Sequence, residues 1–380
     1  MNIPELKAFI DIKHVLPAIG TWRKSVHVFD VRTAQAIRAA LASGRPLLVR
    51  GEPGTGKSQL ARAAAKVLGR KFLSHVVDAH TEIQDLWYRF DAVSRLGNAQ
   101  VLSAIGNKKN EHEIDQMLSP EEYLSPGILW WAFDWKDASS KVGKHPFFIP
   151  DENDPGDEIN GTVLLLDEID KADADLPNSL LETLDNGQFT VPWIKKTVGV
   201  AQGELANRPL VVLTTNEDRQ LPGAFVRRCL VLDLQLSKEK NELIRKLKER
   251  AVFHFPVIKA GETERDTEIQ RDEDDMPLQE CRLHEDVLQE AADQLFKDRL
   301  EANSLGVTPP GQAEYLDMLR VLDELVPNDT KQQKELLKTI KDFALKKYPG
   351  MQQQQQQQQQ QVDSKALNRK ETPEENEASE

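Results

Sequence analysis

Cysteine is nearly missing from this chain: two residues in 380, Cys229 and Cys281. Two thiols make no disulfide framework, and a reducing cytoplasmic setting is the expectation. Long hydrophobic runs are missing too. The apolar stretches stop well short of the roughly 20 residues that a membrane helix needs. The opening "MNIPELKAFIDIKHVLPAIG" has no charged start leading into an apolar core, so neither a membrane span nor a signal peptide is expected. A positive balance is also absent. Lys and Arg total 49 against 62 Asp and Glu, a net charge of -13, which argues against bulk attraction to nucleic acid or anionic lipid and leaves only a local basic patch. What is present, 39% hydrophobic and 29% charged residues, describes a soluble globular chain long enough for two or three domains.

Residues 1–29 read as an irregular arm with one short amphipathic segment. From Asp30, "DVRTAQAIRAALASGR" has apolar residues at helical spacing and a stop near Gly44. "PLLVR", "FLSHVV", "TVLLLDE", "PLVVLTT" and "CLVLDL" are short Val- and Leu-rich runs separated by helical or mixed segments. Continuous apolar strands alternating with helices predict a parallel sheet covered on both faces, an α/β domain over residues 30–236. Between the second and third strands, residues 79–161 hold Trp87, Trp130, Trp131 and Trp135, which predicts a packed insertion whose aromatics are core. After Ser237 four segments carry apolar stripes, predicting a small α-helical domain over residues 237–349 with an acidic linker, "GETERDTEIQRDEDDMP", inside it. Residues 350–380, with ten glutamines and an acidic end, have nothing to bury and are expected to be disordered.

Three stretches carry chemistry. "GEPGTGKS" fits the phosphate-loop spacing G-x-x-x-x-G-K-[ST] between an apolar strand and an Ala-rich helix. Glycines let successive N–H groups converge on one anion, and the positive end of the helix adds to them. The candidate nucleotide-binding set is Gly51, Glu52, Pro53, Gly54, Thr55, Gly56, Lys57, Ser58 and Gln59; Lys57 would reach the β- and γ-phosphates and the Ser58 hydroxyl would ligate Mg²⁺. In "TVLLLDEIDKAD" a strand delivers Asp167, which would hold Mg²⁺, and Glu168, which would polarise water as a general base. In "PLVVLTTNEDRQLPGAFVRRCLVLDL" a strand ends at Asn216, whose amide would orient that water, and Arg227 and Arg228 precede the next strand. Cys229 beside them reads as a small buried hydrophobe, and no zinc set is formed by His75 and His80.

Together these motifs and the helical C-terminal part resemble the AAA+ ATPases, over roughly residues 30–325. The likeness is strongest to the MoxR branch, which has an insertion after the second strand and the pattern N-E-x-R-x-L-P-x-A-F-x-R-R. That resemblance implies a P-loop three-layer sandwich with a helical lid, and a homo-oligomeric ring, usually a hexamer, with ATP and Mg²⁺ bound between subunits. It makes Asn216 the sensor 1 position and Arg228 the arginine finger entering the neighbour's site, with Arg227 next in line. It also implies a protein client or a von Willebrand factor A domain partner. The stretch "LGVTPPG" departs from the pattern: no Lys or Arg occurs from Leu305 to Leu319, so sensor 2 is unassigned between Arg320, Arg299 and none. By the same resemblance "DNGQFTVPWIKKTVGV" is a client-side hairpin, with packing favoured over client contact for Trp193.

The leading expectation is thus a MoxR-type ATPase that remodels, activates or assembles a partner complex. The alternatives are a nucleic-acid-associated AAA+ motor subunit, against which the acidic charge weighs, and a nucleotide-gated scaffold with little hydrolysis. Lys57→Ala is expected to abolish uptake of a fluorescent ATP analogue, and binding as tight as the parent's would remove the glycine loop from the account.

Overall fold

A computed structural model describes residues 3–10, 12–105, 111–142, 146–199, 208–255, 257–258 and 283–345. The acidic linker, the tail from residue 350 and Cys281 lie outside the described residues. The chain divides into two compact units: Met1–Gly51 with Gly56–Leu234, and Glu52–Thr55 with Gln235–Glu380.

In the first unit, helix α1 (Val31–Ser43) opens on Asp30, whose carboxylate accepts from the Thr33 N–H, and stops at Gly44, which adopts the left-handed conformation with φ of 64°. Strand β1 (Leu47–Arg50), helix α2 (Lys57–Leu68) and strand β2 (Arg70–Val76) follow. After the insertion come strand β3 (Asp157–Asp167), helix α3 (Asp175–Asn186) and an antiparallel hairpin of β4 (Gln188–Val191) and β5 (Lys196–Gly199). Strand β6 (Leu210–Thr215), the short helix α4 (Gly223–Arg228) and strand β7 (Leu230–Asp233) complete the unit. The strands β7, β1, β6, β3 and β2 lie side by side in that order, and every pairing is parallel.

Strand side chains alternate between faces, and two cores result. Leu47, Val49, Val163, Leu165, Leu210 and Val212 pack on α1 and α2 through Ile37, Leu41, Leu60 and Ala64. The interleaved Leu48, Leu164, Leu166, Val211 and Leu213 face α3, α4 and the insertion through Leu180, Leu184, Phe225 and Trp130. That double burial is why these strands read as unbroken apolar runs. The fold is the expected α/β one: a parallel sheet with helices on both faces, followed by helices.

Two differences from the sequence reading have physical causes. Strand β3 begins at Asp157, five residues before its apolar run; these leading residues, exposed up to Asn160, pair through the backbone, Asp157 opposite Arg70, before the register shifts. Hydropathy cannot register pairing that buries no side chain. The arm expected to be irregular contains a hairpin, His14–Leu16 against Ser25–His27, and it buries Phe9, Leu16 and Phe29 in the core beside α1. Aromatic edge-to-face contacts between Phe9 and Phe29 (5.3 Å between centroids) fix a segment whose sequence has little periodicity.

The insertion is packed, as its tryptophans suggested. Trp130 is fully buried on the short helix Ile128–Phe133; its indole N–H donates to Asp137 Oδ2 at 2.9 Å, and its ring meets Phe189 of the hairpin edge-on. Lys196 of β5 reaches the other Asp137 oxygen at 2.6 Å, tying insertion to hairpin. Trp193 stacks on Phe90 with centroids 3.9 Å apart while 46% exposed, so packing and a free face coexist there.

In the second unit, helices α5 (Lys240–His254), α6 (Glu285–Ser304), α7 (Gln312–Leu325) and α8 (Thr330–Ala344) surround a core that includes Leu243, Leu247, Leu288, Leu295, Leu319, Leu322 and Leu337. Each buries one stripe, the 3.6-residue spacing seen in the sequence.

Trp130→Ala is expected to cost about 3–5 kcal/mol by urea unfolding, the range for emptying a large aromatic site. Trp130→Phe should lose distinctly less, since it keeps most of the packing and gives up the bond to Asp137.

Candidate functional site

Strands β1, β3 and β6 are parallel neighbours, so their carboxyl ends bring three distant stretches to one edge of the sheet, where such folds bind ligands. From β1 the chain turns through Gly51, Gly54 and Gly56, with φ of 151°, 76° and 89°; the last two values are open to glycine at little steric cost. Thr55 Oγ1 closes the turn on the Glu52 carbonyl at 2.9 Å. Helix α2 then starts after Gly56 with no side-chain cap, the arrangement in which the first N–H groups of a helix suit an anion.

Lys57 is 7% exposed, and its ammonium donates to the Gly51 carbonyl at 2.7 Å and to Asn216 Oδ1 at 2.8 Å. The other end of the same amide, Asn216 Nδ2, donates to Glu168 Oε1 at 3.2 Å. One amide orientation satisfies both bonds, so Asn216 bridges the cation of the loop and the carboxylate of β3. Ser58 Oγ lies 3.0 and 2.9 Å from the two Asp167 oxygens. Six residues singled out in the sequence thus fall into two hydrogen-bonded groups, Gly51, Lys57, Asn216 and Glu168 in one and Ser58 and Asp167 in the other.

Burial pushes the Lys57 ammonium below its ordinary pKa, against the opposing pull of Asp167, Asp170, Glu168 and Asp218. Desolvation prevails, so added negative charge at this point would stabilise the charged form. The site fits a phosphate chain with its metal: the uncapped helix start and the desolvated ammonium suit the anion, and the Ser58 and Asp167 oxygens are the hard donors Mg²⁺ takes.

Thr214 is the residue that sequence reasoning passed over. It is 1% exposed, accepts the Glu168 N–H at 2.9 Å through its hydroxyl, and donates that hydroxyl to Asp167. One side chain therefore pins both acids. It also supports an unusual backbone, because Glu168 sits at φ 59° and ψ 45°, a left-handed conformation costing a non-glycine residue of order 1–3 kcal/mol. A threonine ending a strand satisfies ordinary β-propensity, so nothing in the sequence separated it from its Val and Leu neighbours.

The structure sets the arginines apart from this group. Arg228 ends α4 before the start of β7, so it lies at the amino end of the sheet, whereas the loop lies at the carboxyl end. Its Nε is 2.8 Å from Asp185 Oδ2, and Arg227 is exposed beside it. Cys229 is buried as expected, its thiol pushed up to about 12 by desolvation. Within the second unit, Arg299 is buried and pairs with Glu52 Oε2 at 2.8 Å, while Arg320 pairs with Asp317 on the surface of α7.

Residues 46–250, more than half of the chain, match the family described as AAA domain (dynein-related subfamily). The chain belongs to this AAA family. Family membership carries with it an ATPase fold and nucleotide binding, and AAA proteins commonly assemble as rings. No curated protein matches the AAA chain. A solved structure described as a "putative ATPase" from Cytophaga hutchinsonii is 13% identical over 80% of this chain and 78% of its own, with a TM-score of 0.31.

Thr214→Val keeps the shape and removes the hydroxyl. It should lower unfolding free energy by about 1–3 kcal/mol, the cost of leaving the part-buried Glu168 N–H without its acceptor, and reduce ATP turnover, with Thr214→Ser recovering most of both.

Proposed function

We propose that this AAA protein is a MoxR-type ATPase that hydrolyses ATP at the interfaces of a homo-oligomeric ring, a hexamer, and uses the cycle to remodel, activate or assemble a partner protein complex. Gly51, Glu52, Pro53, Gly54, Thr55, Gly56, Lys57, Ser58 and Gln59 hold the nucleotide. Lys57 sets its charge against the β- and γ-phosphates. Ser58 and Asp167 hold Mg²⁺, which when bound would neutralise charge developing on the phosphoryl oxygens. Glu168 takes the proton of the attacking water, and Asn216 keeps its carboxylate oriented.

The observation that carries the subunit-interface reading is the position of Arg228. Strand β1 separates the amino end of the sheet from the phosphate loop by four residues, roughly 13 Å at 3.3 Å per residue. Arg228 sits at the far end of that span, beside an edge strand. A guanidinium there is turned away from its own loop and is available to a neighbour's, where it would stabilise the transferring phosphoryl group. Hydrolysis then waits on correct assembly.

On the partner side, the hairpin β4–β5 and the Trp-rich insertion, joined through Asp137, offer a built surface for a protein client. A von Willebrand factor A domain partner is the one suggested by the resemblance to MoxR proteins.

Glu168→Gln should retain nucleotide binding while steady-state ATP turnover falls by roughly 10²–10⁴, the usual contribution of a positioned base. Equal rates for variant and parent would take Glu168 out of the reaction.

A further inference from the structure

Helix α4, which carries Arg228, has six residues and makes too few internal bonds to hold its own end rigid. Its last turn leaves carbonyls without helical partners. Two of them, those of Arg227 and Arg228, are taken by one side chain: Arg45 Nε donates to the Arg228 carbonyl at 2.9 Å, and an Arg45 terminal nitrogen donates to the Arg227 carbonyl. The next residue along, Pro46, accepts the Leu230 N–H at 2.8 Å. Arg45 and Pro46 together clasp the chain on both sides of Cys229. A guanidinium suits this position because its planar fork reaches two carbonyls at once and its charge opposes the negative end of the helix.

Among the described residues the Arg228 side chain is held by the exposed Asp185, a pair of the kind that contributes little and exchanges readily. The backbone of α4 is thus fixed while the guanidinium it carries stays free to change partners. We infer that Arg45 is a positioning residue for the finger: it acts on catalysis in the adjoining subunit by fixing the backbone from which Arg228 projects, and it takes no part in its own subunit's site. This inference rests on the reading of Arg228 as the finger.

The test uses full-length protein and mixing. Arg45→Ala should bind a fluorescent ATP analogue with a dissociation constant within about a factor of two of the parent's, while kcat falls by roughly 10- to 100-fold, the effect expected when a catalytic group is displaced by about 1 Å. Adding Glu168→Gln protein, which lacks the base but has the finger in place, should raise turnover above the sum of the two proteins measured separately. Arg45→Lys, with the charge but without the fork, should fall between Arg45→Ala and parent. It carries the same tests if Arg45→Ala fails to assemble.

Unchanged kcat in Arg45→Ala would overturn the inference. So would a loss that Glu168→Gln cannot rescue under conditions where it does rescue Arg228→Ala, because Arg45 would then be acting on its own site or on folding. Failure of Glu168→Gln to rescue Arg228→Ala is a different result: it removes the finger reading itself, and this inference with it.

Discussion

The site is organised around one ammonium group taken out of water. Lys57 has no reason to be buried on grounds of stability, since desolvation works against its charge and the four nearby acids compensate only in part. It is held there by the Gly51 carbonyl within the loop and by Asn216, and the second contact depends on the sheet delivering β1 and β6 side by side. A bound triphosphate would supply the charge that this pocket lacks. The affinity of the loop therefore resides in the fold that strips water from Lys57 as much as in the glycines that shape the turn.

Asn216 makes this arrangement cooperative. Its amide accepts from the phosphate-loop lysine and donates to Glu168, so the group that would contact phosphate and the group that would activate water share one intermediary. Anything that draws Lys57 away from Asn216 changes the bonding of Glu168 as well. Thr214 adds a second tie, between the Glu168 backbone and Asp167. The strained backbone at Glu168 is retained because Thr214 holds it.

Much of this was legible in the sequence, and what was legible has a common character. Spacing within a single segment identified the glycine loop, the two acids after "TVLLL" and the asparagine after "VVLTT", because each motif is local and its residue types are chemically constrained. The five strands were legible because burial on both faces makes them apolar throughout. Side chains whose role is long-range and whose type is common locally were not. Thr214 looks like any β-branched strand residue, and Arg45, separated from its partners by more than 180 positions, looks like a solvated cation after a helix stop. The first residues of β3 and the hairpin near the amino terminus were missed because backbone pairing and a few aromatic contacts order them without periodic burial.

Strand β1 has a role beyond filling the sheet. It is four residues long, flanked by β6 and β7, with Leu47, Leu48 and Val49 fully buried. The nucleotide loop leaves one end of it, and the clasp on α4 leaves the other. So short and enclosed a strand behaves as a push-rod with almost no give, because a close-packed interior transmits displacement instead of absorbing it. In a ring whose fingers act across interfaces, occupancy of one seat would then bias catalysis next door. Where that coupling acts on the equilibrium by which the finger docks, thermodynamic reciprocity requires the docked contact to alter occupancy of the first seat by the same factor; the change in rate carries no such requirement. An order of firing around such a ring would need no dedicated messenger.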